Sequence, residues 1–502
     1  MRFLASGSVK EKVLAATLKV CAISVKTMKT VLEKLLSAFP PSVVKTDDKS
    51  RFAASFDNIK LSFPPDAVVF PRDEDDISKV LKLANELGVP VTVRGAGTST
   101  VGGATPVCGG WVISLAHWQK LEIDADAGTA IVQPGVITEA ISRAAEPSGL
   151  FFPPDPASKK YCTIGGNIAT NAGGLRAARY GVTRDYVLAL EGILPTGEKV
   201  RWGAAVKKFV SGYNLKDLWV GAEGTLGVVT KAVLKLVPLP QARHTFLCAF
   251  KSDQSALEAA GTLLRERVQP SVLEFMDSLS VACAQKFKAT QFFEQIESPA
   301  VLLIEVDGDK LSVPAQAERV RAWATGTTIA FKETDVPAMA ETFWDVRRAC
   351  SPAMFLLANA KLNEDIVVPA KNFVRLLELM RQVTKDTGLY TPIFGHVGDG
   401  NLHVHVMFNR EDEMQCKKAE QAIFKIMKSV VALEGCITGE HGIGLAKSPF
   451  LGLQHSPAEI NAMLAIKRAL DPKNILGRGK IFEPFNVWDY TPIQIKLPWE
   501  RH

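Results

Sequence analysis

The sequence predicts an α+β fold in two parts, and three observations carry that prediction. Ahead of Pro238-Leu239-Pro240, three glycine-rich segments (residues 94–103, 163–174 and 221–230) adjoin runs of strand-forming residues. From Thr245 onward, strand-length apolar runs are separated by amphipathic helical runs, the pattern of an antiparallel sheet with helices on one face. Within that second part, Phe394 to Phe408 reads Phe-Gly-His-Val-Gly-Asp-Gly-Asn-Leu-His-Val-His-Val-Met-Phe, a concentration of groups able to do chemistry. The Pro-Leu-Pro run breaks the pattern and marks the boundary between the parts.

Composition narrows the class. With 502 residues, 47% hydrophobic and 22% charged, the chain has the make-up of an ordinary globular protein of several domains. Its net charge of +6 is not gathered into a basic run, which argues against nucleic acid and fits an anionic cofactor or substrate. The eight cysteines form no C-x-x-C pair or tight cluster, against iron–sulfur clusters, zinc ribbons and a disulfide scaffold, and for a reducing compartment. No apolar run reaches the roughly 18 to 20 residues that span a bilayer, so the expectation is a cytoplasmic protein not integral to a membrane. Residues 1–36 are rich in lysine with apolar residues at helical spacing. A transit peptide and a surface-binding helix both stand as readings, so peripheral attachment to an inner membrane and a mitochondrial location stay open.

In chain order, Asp75 and Asp76 before Ile77, Val80, Leu81, Ala84 and Leu87, with Gly88 after them, predict a capped amphipathic helix ended by glycine. Residues 89–93 follow as a strand running into Arg94-Gly95-Ala96-Gly97-Thr98-Ser99-Thr100. A strand entering Gly-x-Gly suits a backbone nest for a pyrophosphate, because glycine lets amides approach the anion and Arg94 adds charge. It is not the Rossmann fingerprint, since Thr100 stands where the third glycine belongs; alone, an ordinary tight turn explains it as well. Residues 112–115 and 130–133 read as strands and 138–145 as a helix. The rigid, aromatic Phe151-Phe152-Pro153-Pro154-Asp155-Pro156 leads into Thr163-Ile164-Gly165-Gly166-Asn167-Ile168-Ala169-Thr170-Asn171-Ala172-Gly173-Gly174. Its glycines let backbone approach something flat or phosphorylated, and two such segments suit a dinucleotide. The third segment turns into a strand and precedes another at 233–237.

The second part reads as strands at 245–250 and 301–306, helices at 255–268, 315–324 and 371–387, then helices at 413–433 and 457–470 and a closing segment at 471–482. Arg347, Arg348 and Lys361 carry charge suited to clamping a carboxylate, Arg through a fork and Lys as a point charge, although a solvated helix face is the preferred reading of Arg348. In the histidine stretch, Leu402, Val404 and Val406 alternate with His403 and His405 on the opposite strand face, and the Gly398-Asp399-Gly400 turn lets His396 fold back toward the histidines. His441 follows Glu440. Imidazoles clustered this way point to a metal, a catalytic base, or both, with a hydrogen-bonded polar face as the plainer alternative.

Taken in order, the segments Val-Arg-Gly-Ala-Gly-Thr, Pro-Pro-Asp-Pro-Ala-Ser, Thr-Ile-Gly-Gly-Asn-Ile-Ala-Thr-Asn-Ala-Gly-Gly, Glu-Gly-Thr-Leu-Gly, Gly-His-Val-Gly-Asp-Gly-Asn-Leu-His and Gly-Glu-His-Gly-Ile-Gly give the chain a family likeness from about Pro64 to Phe482. It resembles the FAD-linked oxidoreductases of the vanillyl-alcohol oxidase superfamily, in the branch of the glycolate oxidase catalytic subunit, D-lactate dehydrogenase and D-2-hydroxyglutarate dehydrogenase. The resemblance implies a lead-in at 1–60, a PCMH-type two-subdomain FAD-binding domain at 61–240, an α+β substrate (cap) domain at 241–485 and a tail at 486–502. It implies that Arg94, Gly95, Ala96, Gly97, Thr98 and Ser99 bind the FAD pyrophosphate. Pro154, Asp155, Thr163, Gly165, Gly166, Asn167, Thr170, Gly173 and Gly174 would surround flavin and diphosphate, with Glu223, Gly227 and Val228 toward the adenine. His396, His403 and Glu440 would hold a divalent metal, zinc or manganese, with His441 as the base and Arg347 and Lys361 at the substrate carboxylate.

Such chemistry needs these groups. Oxidising a 2-hydroxy acid removes the hydroxyl proton as the α-hydrogen leaves as hydride; a metal with an open position lowers the hydroxyl pKa and His441 takes the proton. Adjacent Glu440 and His441 on extended backbone would point to opposite sides, one to metal and one to substrate. Two departures matter. His405 stands where the 2-hydroxyglutarate enzymes carry an amide, which favours a small acid such as D-lactate or glycolate. No His or Cys stands at a family linkage position in the first glycine-rich loop, so FAD is expected to be non-covalent. Lacking cysteines for a cluster, the enzyme would pass electrons to a separate acceptor or partner subunit. The rivals are D-2-hydroxyglutarate or another alcohol or sugar-acid oxidation, an alkyl-glycerone-phosphate synthase-like reaction, and a non-catalytic flavin-binding subunit.

Overall fold

The computed structural model describes residues 25–500 apart from 267, 294, 295 and 298, so the expectations for the first 24 residues lie outside it. Among the described residues no helix is long and apolar enough to cross a membrane.

The first part builds two sheets. Strands β1 (Val44–Lys45), β2 (Ala67–Val69), β3 (Val91–Arg94) and β4 (Trp111–Ser114) form one in the order β1-β2-β4-β3, with β2 and β3 parallel to β4. Helix α1 (Glu74–Leu87) packs on it through Ile77, Val80, Leu81 and Ala84. Gly88 ends α1 at φ +70° as expected, but its N-cap is Asp73, whose carboxylate accepts from the Asp76 amide, and Asp75 and Asp76 lie inside the first turn. The next strands are β5 (Leu121–Asp124), β6 (Thr129–Val132), β7 (Leu150–Phe151), β8 (Val187–Ile193), β9 (Lys199–Gly203), β10 (Val228–Lys235) and β11 (Val237–Pro238). Five of them make an antiparallel sheet ordered β5-β6-β10-β8-β9, and β7 pairs with β11. The strand expected at 233–237 is divided between the far end of β10, which begins inside the third glycine-rich segment, and the start of β11 at Val237. The second segment holds helix α2 (Ile164–Thr170), which its glycine-rich composition concealed. Gly165 is needed there because a Cβ would lie 2.6 Å from the Pro134 side chain.

The second part is one seven-stranded antiparallel sheet. Its strands are β12 (Ala242–Phe250), β13 (Val272–Met276), β14 (Ala300–Gly308), β15 (Ala330–Thr334), β16 (Ala360–Val367), β17 (Ile393–His396) and β18 (Asn401–Phe408), in the order β15-β12-β14-β13-β17-β18-β16. Helices were expected on one face only, and here the structure corrects the sequence reading. Helices Asp253–Leu263, Ser312–Thr327, Phe373–Thr387 and Glu413–Ala432 cover one face, while Ser278–Lys288 and α3 (Pro337–Ala353) cover part of the other. Double coverage accounts for the unbroken apolar run Ala300 to Ile304, since both faces of β14 are buried.

The central strands position the histidines. Register pairs His403 with Phe394 and His396 with Asn401, so Phe394, His396, His403 and His405 share one face, while Leu402, Val404 and Val406 enter the opposite core. The hairpin can close because Gly395 has no side chain: a Cβ there would sit 2.9 Å from both the Asn401 carbonyl oxygen and the His403 nitrogen. Beyond helix Pro457–Leu470 the chain returns to the first part, where Ile475 and Leu476 enter its core and Leu476 bridges Val91. Replacing Gly395 with alanine is expected to cost about 1–3 kcal/mol through forced separation of β17 and β18. A lowered unfolding midpoint on thermal denaturation would register it, and an unchanged midpoint would contradict the close approach.

Candidate active site

The three glycine-rich segments line a single cavity of about 1320 Å³ that runs from the first part to the histidine face of the second sheet. In the first segment, the amides of Gly95 to Thr100 find no acceptor among the described residues, which leaves a row of donors beside the cavity. Ser99 shapes the turn by accepting from the Val101 and Gly103 amides at 3.3 and 3.0 Å. Ala96, Gly97 and Thr98 line the cavity, whereas Arg94 does not. Its guanidinium folds behind the loop and donates to the Phe56 carbonyl at 2.7 Å, and a Cβ at Gly97 (φ +73°) would collide with it. Arg94 therefore braces the nest from beneath instead of facing an anion.

Gly95 of the first segment and Gly166 of the second leave room around Thr163, whose hydroxyl is buried without a partner on the cavity wall. Asn167 donates to Thr138 at 2.8 Å and Thr170 to the Gly166 carbonyl at 3.2 Å. Pro154 lines the cavity, and Asp155 is held by Arg176 at 2.5 Å. Gly173 and Gly174 lie behind the wall, Gly173 against Glu440 and Gly174 against the backbone of Asp155. In the third segment, Gly227 packs on the ring of Trp219 and Val228 is buried in the first core. The carboxylate of Glu223 is spent elsewhere, accepting from the amides of Ile443 and Gly444, both at 2.8 Å.

At the far end of the cavity stand His396, His403, His405, Glu440 and His441. His396 Nδ1 donates to Glu274, a fully buried carboxylate on β13 that also accepts from Arg347 Nε at 2.5 Å. Burial alone would raise the Glu274 pKa, but the charges of His396 and Arg347 outweigh it and hold it low. With Nδ1 engaged, His396 turns Nε2 toward Glu440 Oε1 at 3.7 Å, and His403 Nε2 approaches the same oxygen at 3.9 Å. Neither is a hydrogen bond, and Glu440 Oε2 is buried with no partner. One ligand atom from each of His396, His403 and Glu440 lies within 4.8 Å of the other two. Ligand atoms of Asp365, His403 and His441 also lie within 4.8 Å of one another, yet the oxygens of Asp365 are already engaged by donors of the protein.

Asp365, on β16 and fully buried, organises the loop that carries Glu440 and His441. Its Oδ2 accepts from the Thr438 hydroxyl at 3.0 Å and from the amides of Gly439, Glu440 and His441 at 2.8, 2.9 and 3.0 Å, while Oδ1 accepts from Asn401 at 2.6 Å. Burial raises its pKa, but the nearby cationic forms of His441 and Lys447 and these donors hold it well below the ordinary carboxylate range. The His441 ring stacks beside that of His403 with centroids 5.7 Å apart.

Arg347 lies over the Phe394 ring at 4.8 Å, and Phe394 stacks on His405 at 4.4 Å. Burial holds the His405 imidazole well below its usual pKa. Lys361 stands behind the wall: its ammonium donates to the Ser351 hydroxyl at 2.8 Å, Ser351 lines the cavity, and burial lowers the lysine pKa to about 8. Arg348 pairs on the surface with Glu341 and Asp345.

Comparison with known proteins places this arrangement. Residues 65–203 match the model of the FAD binding domain, and residues 239–481 match that of the FAD linked oxidases, C-terminal domain. The chain is 38% identical over 457 residues to the glycolate oxidase subunit GlcD of Bacillus subtilis, covering 90% of this chain and 97% of that protein. The chain belongs to the FAD-linked oxidases. It is also 36% identical over 431 residues to a D-lactate dehydrogenase of Anaerostipes hadrus, covering 83% of this chain and 89% of that one. In fold it resembles p-cresol methylhydroxylase, with a TM-score of 0.75 at 16% identity over 92% of this chain and 98% of that one. The 4-ethylphenol oxidase from Gulosibacter chungangensis gives 0.74 at 15% identity, covering the same shares. FAD is the cofactor of this family, and the row of open amides, the unpartnered Thr163 hydroxyl and the elongated cavity fit it.

Sequence reasoning missed Glu274 and Asp365. Glu274 carried a signal, since Val272-Leu273-Glu274-Phe275-Met276 sets a single acid in an apolar strand, and a carboxylate so placed must find strong partners; Asp365 carried none, since it follows Lys361, Asn363 and Glu364 in a polar strand half. Asp365→Asn is expected to put an amide donor among four donors. Hydrogen exchange at the amides of residues 439–441 should then accelerate at least tenfold, and unchanged exchange would show that the loop is held by other contacts.

Proposed function

We propose that this chain oxidises a small D-2-hydroxy acid, D-lactate or glycolate, to the 2-oxo acid, with non-covalent FAD as the hydride acceptor and a divalent metal, zinc or manganese, at the substrate. Residues 61–240 would hold the flavin and 241–485 the substrate. The names of the two relatives, glycolate oxidase subunit and D-lactate dehydrogenase, support the substrate class. The observation that carries the metal is the convergence of His396 Nε2, His403 Nε2 and Glu440 on one point without bonds among themselves, around a buried, unpartnered carboxylate oxygen. An anion so buried needs a cation. Glu274 meets the usual requirement for a ligating histidine, accepting the proton of the nitrogen that faces away from the metal.

The roles of the chain's own groups follow from their placement. Arg347, its Nε fixed on Glu274, directs the rest of its fork to the substrate carboxylate, and Lys361 adds charge from behind Ser351. His441, held through its own amide by Asp365, accepts the hydroxyl proton. Phe394, Trp344 and His405 line the chamber at the substrate end, Phe394 stacked on His405, and an imidazole at 405 in place of an amide supports a small acid over a long dicarboxylate. Bound metal would supply Lewis acidity that eases loss of that proton. Bound FAD would take the α-hydrogen with its electron pair, so two electrons and two protons leave the substrate. The electrons then pass to a separate acceptor or partner subunit, which the word subunit in one relative's name supports.

A panel of D- and L-2-hydroxy acids with a dye acceptor tests this. D-lactate or glycolate should bleach the flavin and L-lactate should not; dialysis against a chelator should remove turnover, and zinc or manganese should restore it. Full activity with His441→Ala, or turnover indifferent to chelation, would contradict the assigned roles.

A further inference from the structure

Glu223 lies in the third glycine-rich segment and lines the flavin-side cavity, yet both of its carboxylate oxygens are taken by the 443–444 amides. Its backbone is at φ +51°, a conformation that a non-glycine residue keeps only where surrounding contacts hold it. The carboxylate rests on the Cα of Gly442, where a Cβ would approach it to 3.0 Å. The other two glycine-rich segments meet the same loop. The Val101 carbonyl accepts from the amides of Leu445 and Ala446 at 2.7 and 3.1 Å, and a Cβ at Gly173 would lie 3.3 Å from Glu440 Oε2.

We propose that Glu223 is a positioning residue of the substrate centre and not a ligand of the flavin: from the FAD-binding part it fixes the 442–444 turn and thereby the placement of Glu440 and His441. Asp365 holds the 439–441 side of the loop from the second sheet and Glu223 the 443–444 side from the first part, so the loop has its single geometry only when the two parts are docked. This rests on the reading above that Glu440 and His441 serve metal and substrate.

Glu223→Gln keeps the size of the side chain but turns an amide donor toward one of the two backbone donors. In the FAD-loaded variant, flavin affinity measured by equilibrium titration is expected to stay within about twofold of wild type. Affinity for Mn²⁺ should weaken by about tenfold or more, the scale seen when groups that orient metal ligands are lost. The turnover number should fall at saturating FAD with KM little changed. The opposite pattern, weakened flavin affinity with Mn²⁺ affinity and saturated turnover intact, would overturn the proposal and return Glu223 to the cofactor. Should the variant not fold, hydrogen exchange in the wild-type holoenzyme decides: slow exchange at the amides of Ile443 and Gly444 supports the contact, and fast exchange refutes it. A wild-type enzyme that binds no Mn²⁺ and keeps full turnover as His441→Ala would instead overturn the reading of the centre itself, and the proposal with it.

Discussion

The structure depends on two carboxylates, the buried Asp365 and the half-buried Glu223, gripping one irregular loop. Residues 438–446 have no helix or strand to satisfy their amides, and a half-buried loop with orphaned donors would not hold a shape. Asp365 accepts three successive amides and a hydroxyl on one side, and Glu223 accepts two amides on the other. Charged acceptors make the stronger class of hydrogen bond, worth roughly 1.5–3 kcal/mol each. These bonds tie down the backbone of the loop, while its side chains Glu440 and His441 face the cavity.

Buried cations complete this framework. Lys447 donates to the carbonyls of Asp365 and Ile437 at 2.8 Å each, and Lys480, its pKa lowered to about 8 by burial, donates to the Gly103 carbonyl at 2.8 Å beneath the first glycine-rich loop. Between the parts, Arg176 spans Asp155 of the first and Glu305 of the second, and Arg179 pairs with Asp307. Removing one member of such a set leaves an uncompensated charge, so the cavity wall and the docking of the two parts are one electrostatic structure.

Much of the fold was legible. Helices Thr138–Ala145 and Pro457–Leu470 match their expected spans, the second with a Ser456–Glu459 capping box at its start. The alternation of Leu402, Val404 and Val406 against His403 and His405 was read correctly as two faces of a strand. Coverage of both sheet faces was not seen, because a continuous apolar strand looks the same from sequence whether one helix layer or two will bury it. At the site, the residue types announced their chemistry, but assembly did not follow from spacing. His403 and His405 are the natural pair along the strand, whereas the structure brings His396, His403 and Glu440 together through a hairpin and a distant loop. Glu223 and Arg94 sit in cofactor-type motifs yet bond protein backbone, a distinction that only the folded contacts reveal.

The central claim is that His396, His403 and Glu440 close on a single cation opposite His441. Anomalous diffraction from crystals of the FAD-loaded enzyme grown with Mn²⁺ tests it most directly. One strong peak is expected within about 2.0–2.3 Å of a nitrogen from each histidine and an oxygen of Glu440. A peak held by other residues, or none at full FAD occupancy, would contradict it.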